Sequence, residues 1–207
     1  MAQEPSYENE EVAADNTEAA YAELTQRMRS VHLSRLSELP RIELYLDQLL
    51  ALVSMELGFM CVPGETLVTG SMVNNYVKQG VVPAPHKKRY TRRHVATLLF
   101  VCAFKRVFSI AQVAELMGLV YASGADLALL YDEACAALER ALAARFSSEG
   151  AREPERGIRV VDEKGDPVAP GLARLLDSAV AALAAKVYVE KTLDVAERAR
   201  GTADRRV

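Results

Sequence analysis

Glycine and proline stop signals, alternating with side chains that cap helices, cut the middle of this chain into short helices. Pro40 suits a first turn and Gly58 a stop. Between them Ile42, Leu46, Leu49, Val53 and Leu57 recur at spacings of three and four, which predicts a helix over 40–57. Residues 59–68 read as a connection with a turn at Pro63-Gly64. Thr69 caps a helix running to about Gln79, where Gly80 ends it. Val81-Val82-Pro83-Ala84-Pro85 and Lys87-Lys88-Arg89-Tyr90 flank a short turn and predict two small strands, which the prolines confine to edge positions. Thr91 caps a helix to about Val107 whose apolar residues cover most of its surface, as expected of a central element. Ser109 with Gln112 is a capping box for a helix over 110–117. The order is helix, turn, helix, wing, helix, helix.

The flanks differ in character. Residues 1 to about 14 are polar and acidic and are expected to be disordered, with an amphipathic helix from Asn16 to about Val31. Residues 126–146 are rich in Ala and Leu and strongly helical. Residues 147–171 read as a loop with a hairpin around Glu163-Lys164-Gly165-Asp166. A long helix over 172–198 and a frayed end complete the chain. Three regions follow: an acidic tail over 1–37, a central domain over 38–121 and a C-terminal helical region over 122–207.

With 207 residues, half of them hydrophobic, few aromatics and no Trp, the chain can bury a core and favours helices over sheets. The longest apolar run, Val95 to Phe104, is half a membrane span, and the acidic N-terminus is unlike a secretory signal. Cys61, Cys102 and Cys135 are odd in number and lack CxxC spacing. They read as core residues or free thiols, and the chain as a cytoplasmic protein. His32, His86 and His94 form no ligand pattern with them, so neither a metal nor another cofactor is expected.

Charge is segregated. From Thr66 to Ala114 there is no Asp or Glu, but there are eight Lys or Arg and two His. The remaining 17 of the 25 Lys and Arg share the rest of the chain with all 28 acids. At the average frequency such a window would hold about six or seven acids. A local positive field inside an acidic protein points to a polyanion.

Within that window the helix after Thr69 divides cleanly. Met72, Val73, Tyr76 and Val77 lie on one side; Ser71, Asn74, Asn75 and Lys78 lie on the other. Adjacent Asn residues are unfavourable inside a helix, yet exposed they offer the paired donor and acceptor that reads adenine in a major groove. A solvated polar face is the plain alternative. Next comes His86-Lys87-Lys88-Arg89-Tyr90-Thr91-Arg92-Arg93-His94, with five cations in seven residues and no acid, where a phosphate backbone could pass. A solubility patch is the plain alternative there.

Together the segments from Thr69 to Leu119 resemble the winged helix-turn-helix head of MerR-type regulators, with Tyr76, Gly80, Val81, Arg89, Tyr90, Ser109 and Ile110 as landmarks. The stretch Ser71 to His94 is closer still to a bacterial family known only as domain of unknown function 1836. That family's upstream motif, aliphatic-Tyr-aliphatic-Asp-Gln, is similar to Leu44 to Gln48. The resemblance implies a mainly α fold, with a MerR-like winged helix-turn-helix core, a short β wing and added C-terminal helices. It further implies a DNA-binding transcriptional regulator. Ser71, Asn74, Asn75 and Lys78 would face the major groove of double-stranded DNA, with Lys87, Lys88, Arg89, Arg92 and Arg93 on phosphates and His86 beside them. The chain carries Asn74-Asn75-Tyr76 where MerR-type helices usually have Arg-aromatic-Tyr.

Other classes fit less well. No Gly-rich phosphate loop, nucleophile elbow or metalloprotease signature is present, and Asp132-Glu133 reads as a solvated helix face, so no enzymatic activity is expected. A protein-interaction adaptor meeting an acidic partner is the competing class, and RNA binding a third. Leu172, Leu176, Ala179, Leu183 and Val187 make an apolar stripe that either packs on helix 126–146 or pairs with a second copy in a homodimer.

Overall fold

The computed structural model describes residues 7–147 and 157–204, with side chains over 17–147 and 157–200. It is mainly helical. Helix α1 spans Tyr7–Arg29, α2 Leu46–Glu56, α3 Gly70–Lys78, α4 Arg92–Phe104, α5 Ile110–Ala122, α6 Leu127–Arg145 and α7 Pro170–Asp204, with a single 3-10 turn at Gly58–Met60 after α2. Helices α1, α6 and α7 pack together as one layer; α2, α3 and α5 gather around or beside α4, which also touches α7. Nine of the thirteen α4 residues are buried, from His94 to Phe104, as expected of a central helix. Leu98 and Cys102 are wholly enclosed there, in a core continuous with Leu138, Leu142 and Leu183 of the other layer.

Local signals set most helix ends. Thr69 Oγ1 accepts the Met72 amide at 3.2 Å. Ser109 Oγ accepts the Gln112 amide at 3.2 Å while Gln112 Oε1 accepts the Ser109 amide at 2.9 Å, the reciprocal box expected there. Asp126 caps α6 by accepting from Ala128 and Leu129. At the end of α3, Gly80 takes φ +72°. Its amide bonds to Val77 O at 3.0 Å and that of Val81 to Tyr76 O at 2.9 Å, a Schellman ending. Val81 and Tyr76, the residues between which this ending commonly makes an apolar contact, are both buried.

Several boundaries differ from the sequence reading. Helix α2 begins at Leu46 rather than Pro40, because Leu44 is taken by an antiparallel bridge to Tyr90, with both amide–carbonyl bonds made at 2.8 and 2.9 Å. The two strands expected over 81–90 shrink to isolated bridges, Leu44 with Tyr90 and His86 with Arg89. Pro83 and Pro85 supply no amides to extend them. Helix begins at Tyr7, inside the stretch expected to be disordered; α1 is held by Leu24 and Met28 against α6 and α7. Helix α5 continues five residues past Met117, and α7 runs to Asp204 instead of fraying after 198. The hairpin near 163–166 is present as a Val161–Pro167 bridge turning at Gly165, φ +86°. Residues 1–6 of the tail, 148–156 of the loop and 205–207 of the end lie outside the described residues.

Two polar clasps join the layers. The connection from α1 to α2 lies along α6: Leu33 N donates to Glu139, Leu36 N to Asp132, and Tyr131 Oη to Ser34 O. Asp132 and Glu133, expected on a solvated face, are half-buried instead, and Glu133 receives Arg159 at 2.9 Å. On the other side Arg106, at the end of α4, pairs with Glu65 and with Glu190 of α7, and Lys191 Nζ donates to Cys61 O. The loop entering α3 is thereby fastened to α7. Leu172, Leu176, Ala179, Leu183 and Val187 are all buried inside the chain, so the stripe on α7 serves intramolecular packing.

Candidate nucleic-acid interface

Helix α3 sorts its residues as its nine-residue sequence dictates. Val73 and Tyr76 are buried, and Met72 and Val77 half-buried against the core. Burial pushes the Tyr76 phenol up to about 12, so the ring seats the helix as a neutral group. Ser71, Asn74, Asn75 and Lys78 are exposed. Ser71 Oγ lies 3.0 Å from Thr69 Oγ1, and Asn75 Oδ1 accepts from Gln79 Nε2 at 3.3 Å. Among the described residues the exposed Asn74 and Lys78 side chains make no hydrogen bond or ion pair.

The segment after α3 folds back on it. Val81 and Val82 amides both reach Tyr76 O, and His94 Nε2 of α4 lies 3.5 Å from Ala84 O. His94 Nδ1 accepts the Thr91 amide at 3.0 Å, taking the part of the Gln or Glu in a capping box and leaving the ring proton on Nε2. Its ring meets Tyr90 edge-on at 5.7 Å. Tyr90 and His94 therefore anchor the basic stretch from inside.

Just before these anchors the chain reverses tightly. Arg89 N donates to His86 O at 2.8 Å, and the two central residues, Lys87 and Lys88, have φ of +47° and +60°. Positive φ at both centres is the pattern of a type I′ hairpin turn, which Asn-Gly fills without strain. Two lysines hold it at a cost of about 1–2 kcal/mol each. Both are exposed, as is His86. Arg89 is half-buried, its Cζ 4.0 Å above the Tyr45 ring and its Nη2 donating to Tyr45 Oη at 2.7 Å. Arg93 is exposed; Arg92 is half-buried, with an Nε that has no hydrogen-bond partner among the described residues.

Among the described residues, every ion pair lies elsewhere: none engages Lys78, Lys87, Lys88, Arg89, Arg92 or Arg93. No carboxylate among the described residues lies within ion-pair distance of these cations. The turn and α4 start are contiguous with each other and tied to the end of α3 through 81–84. No hydrogen bond among the described residues links the α3 side chains to the turn directly. Tyr45 is the member of this surface that the wheel and charge arguments passed over; its signal was the Leu44–Gln48 motif.

Burial pushes the Cys102 and Cys135 thiols up to about 12. Among the described residues no group of three His, Cys, Asp or Glu could hold a metal ion, and no helix is long and apolar enough to cross a membrane.

A family model described as Domain of unknown function (DUF1836) matches residues 34–134, from the clasp on α6 through α2–α5 to the first turns of α6. No curated protein and no solved structure matches the chain.

Proposed function

We propose that this protein binds double-stranded DNA in a sequence-dependent way and acts as a transcriptional regulator, with α3 as the recognition helix and the Lys87–Lys88 turn as a minimal wing. The observation that carries the reading is two kinds of exposed chemistry on neighbouring segments, α3 and the turn joined to it through 81–84. On α3, Ser71, Asn74, Asn75 and Lys78 stand exposed over a buried Val73 and Tyr76; in the segment that follows, Lys87, Lys88, Arg89, Arg92 and Arg93 have no ion-pair partner among the described residues. Amide side chains on an exposed helix suit base edges, and unpaired cations on a turn and a helix start suit phosphates. Strain kept at a turn with two lysines supports a role for those lysines beyond folding. On this reading the protein is a binder and not a catalyst.

The test is fluorescence anisotropy of the full chain with a randomised duplex library and with an RNA hairpin. It is run over a salt series, and the bound fraction is sequenced. Salt-dependent binding with an enriched duplex sequence supports a DNA-reading regulator. Folded protein that binds no duplex at low salt overturns it, and capture of one stoichiometric acidic protein would then favour an adaptor on the same surface.

A further inference from the structure

The Leu44–Gln48 motif has one residue whose role the duplex-binding reading leaves open. The bridge between Leu44 and Tyr90 turns both side chains into the core, where they are 6% and 4% exposed. In an antiparallel pair the next residues along, 45 and 89, stand opposite each other and point the other way. Tyr45 is accordingly half exposed, with the Arg89 guanidinium stacked over its ring and bonded to its hydroxyl. The Tyr45 backbone is held at the start of α2, where its amide donates to Gln48 Oε1 at 2.9 Å.

An arginine held in this way is unlike one in a structural ion pair. A guanidinium has five N–H donors in a planar fork, and Arg89 uses one on Tyr45. No carboxylate among the described residues pairs with it. Stacking removes the rotamer freedom that a free arginine would lose on meeting an anion, and leaves a fork that fits a phosphate bidentately. The neighbouring Lys87 and Lys88 add charge with no acid between them.

We infer that Tyr45 is the positioning residue of this surface, presenting Arg89 as a preformed receptor for a backbone phosphate of the bound duplex. The inference rests on the duplex-binding reading. It separates the Leu44–Gln48 motif into three jobs: Leu44 bridges to the turn, Tyr45 aims its arginine, and Gln48 holds the Tyr45 backbone.

The experiment is a double-mutant cycle on the full chain, with affinity for the library-enriched duplex measured over a salt series. Arg89→Ala weakens binding about tenfold and lowers the salt slope by about one. Tyr45→Leu weakens it about threefold to fivefold through lost preorganisation, and adds nothing in the Arg89→Ala background. Tyr45→Phe, which keeps the stacked ring, stays within about twofold of wild type. Thermal melts accompany each variant. Should Tyr45→Leu fail to fold, Tyr45→His carries the same cycle, with Tyr45→Phe as its near-wild-type control. Wild-type affinity in a folded Tyr45→Leu protein overturns the positioning role, as does an equal loss with and without Arg89, which would make Tyr45 a direct contact. Absence of duplex binding by wild type overturns the duplex reading and this inference with it, a result distinct from either of those.

Discussion

Arg35 and Glu139 face each other across two parallel hydrogen bonds, Nη1 to Oε1 at 2.8 Å and Nη2 to Oε2 at 2.6 Å. This fork-to-fork geometry is the strong form of the arginine–carboxylate pair, and it fastens the α1–α2 connection to the middle of α6. Burial raises the Glu139 pKa, but bonds from Arg35 and the Leu33 amide, with the Arg35 charge, outweigh it and hold the carboxyl below its ordinary range. A depressed folded pKa gives stability that is present above the unfolded value, about 4.3, and lost as pH falls through the folded one. Urea melts should therefore be flat from pH 6 to 8 and weaken below about pH 4.5. Glu139→Gln should cost about 2 kcal/mol at pH 7 and make the acid loss shallower; an unchanged acid profile would remove Glu139 from the account.

Arg106 has a side chain only 4% exposed between Glu65 and Glu190. Arg106→Ala leaves two carboxylates facing each other without their cation. A loss of about 3 kcal/mol is expected, at the lower end for a buried network because both acids are partly wet. Hydrogen exchange should quicken over 59–69 more than over α6. Uniform quickening of both would show that the clasp is no local fastening.

Lys88 pays for its place in the turn with a left-handed backbone. Lys88→Gly relieves that strain but adds unfolded-state entropy, so a gain of up to about 1 kcal/mol is expected. The same change should weaken duplex binding, because a charge is lost. A variant more stable and equally tight would deny the lysine its binding role.

Asn74→Ala and a Lys87→Glu/Lys88→Glu double reversal should fail differently. The first alters which sequences are selected, by about 1–3 kcal/mol at one or two positions, with the salt slope kept. The second weakens all duplexes alike and flattens the slope. Identical patterns from both would break the division between reading and holding.

Thiol labelling of the native protein should reach Cys61 first, since it is half-buried while Cys102 and Cys135 are enclosed with thiols pushed up to about 12. Burial also raises the Cys61 pKa, so even that reaction should be slow at pH 7.5 and speed up at pH 9. Fast labelling of all three would mean that α4 and α6 open readily.

What the sequence made legible was what neighbouring residues decide. Thr69, Gly80, Ser109 with Gln112, and Asp126 act within four residues of themselves, and the α3 wheel follows from a period of 3.6. The start of α2 was misplaced because Leu44 answers to Tyr90, 46 residues away, while Pro40 only permits a helix. Asp132 and Glu133 read as solvated because their partners, Leu36 and Arg159, lie far along the chain. Tyr45 escaped notice for the same reason: an arginine 44 positions later gives it meaning. Residues 81–90 read as two strands because nothing local says that a bridge will stop after one pair.

The clasp at Arg106 has a consequence for how the protein is made. Its partner Glu190 follows 84 residues later, and Lys191 follows Cys61 by 130. At the usual pace of a ribosome, roughly 5–20 residues per second, that wait is about 4–17 seconds from Arg106 to Glu190. During it, α3 and its entry loop have left the ribosomal tunnel with their latch unbuilt. The half of the molecule that carries the basic face is thus completed by the half synthesised last, and a nascent chain has an open loop to guard until α7 arrives.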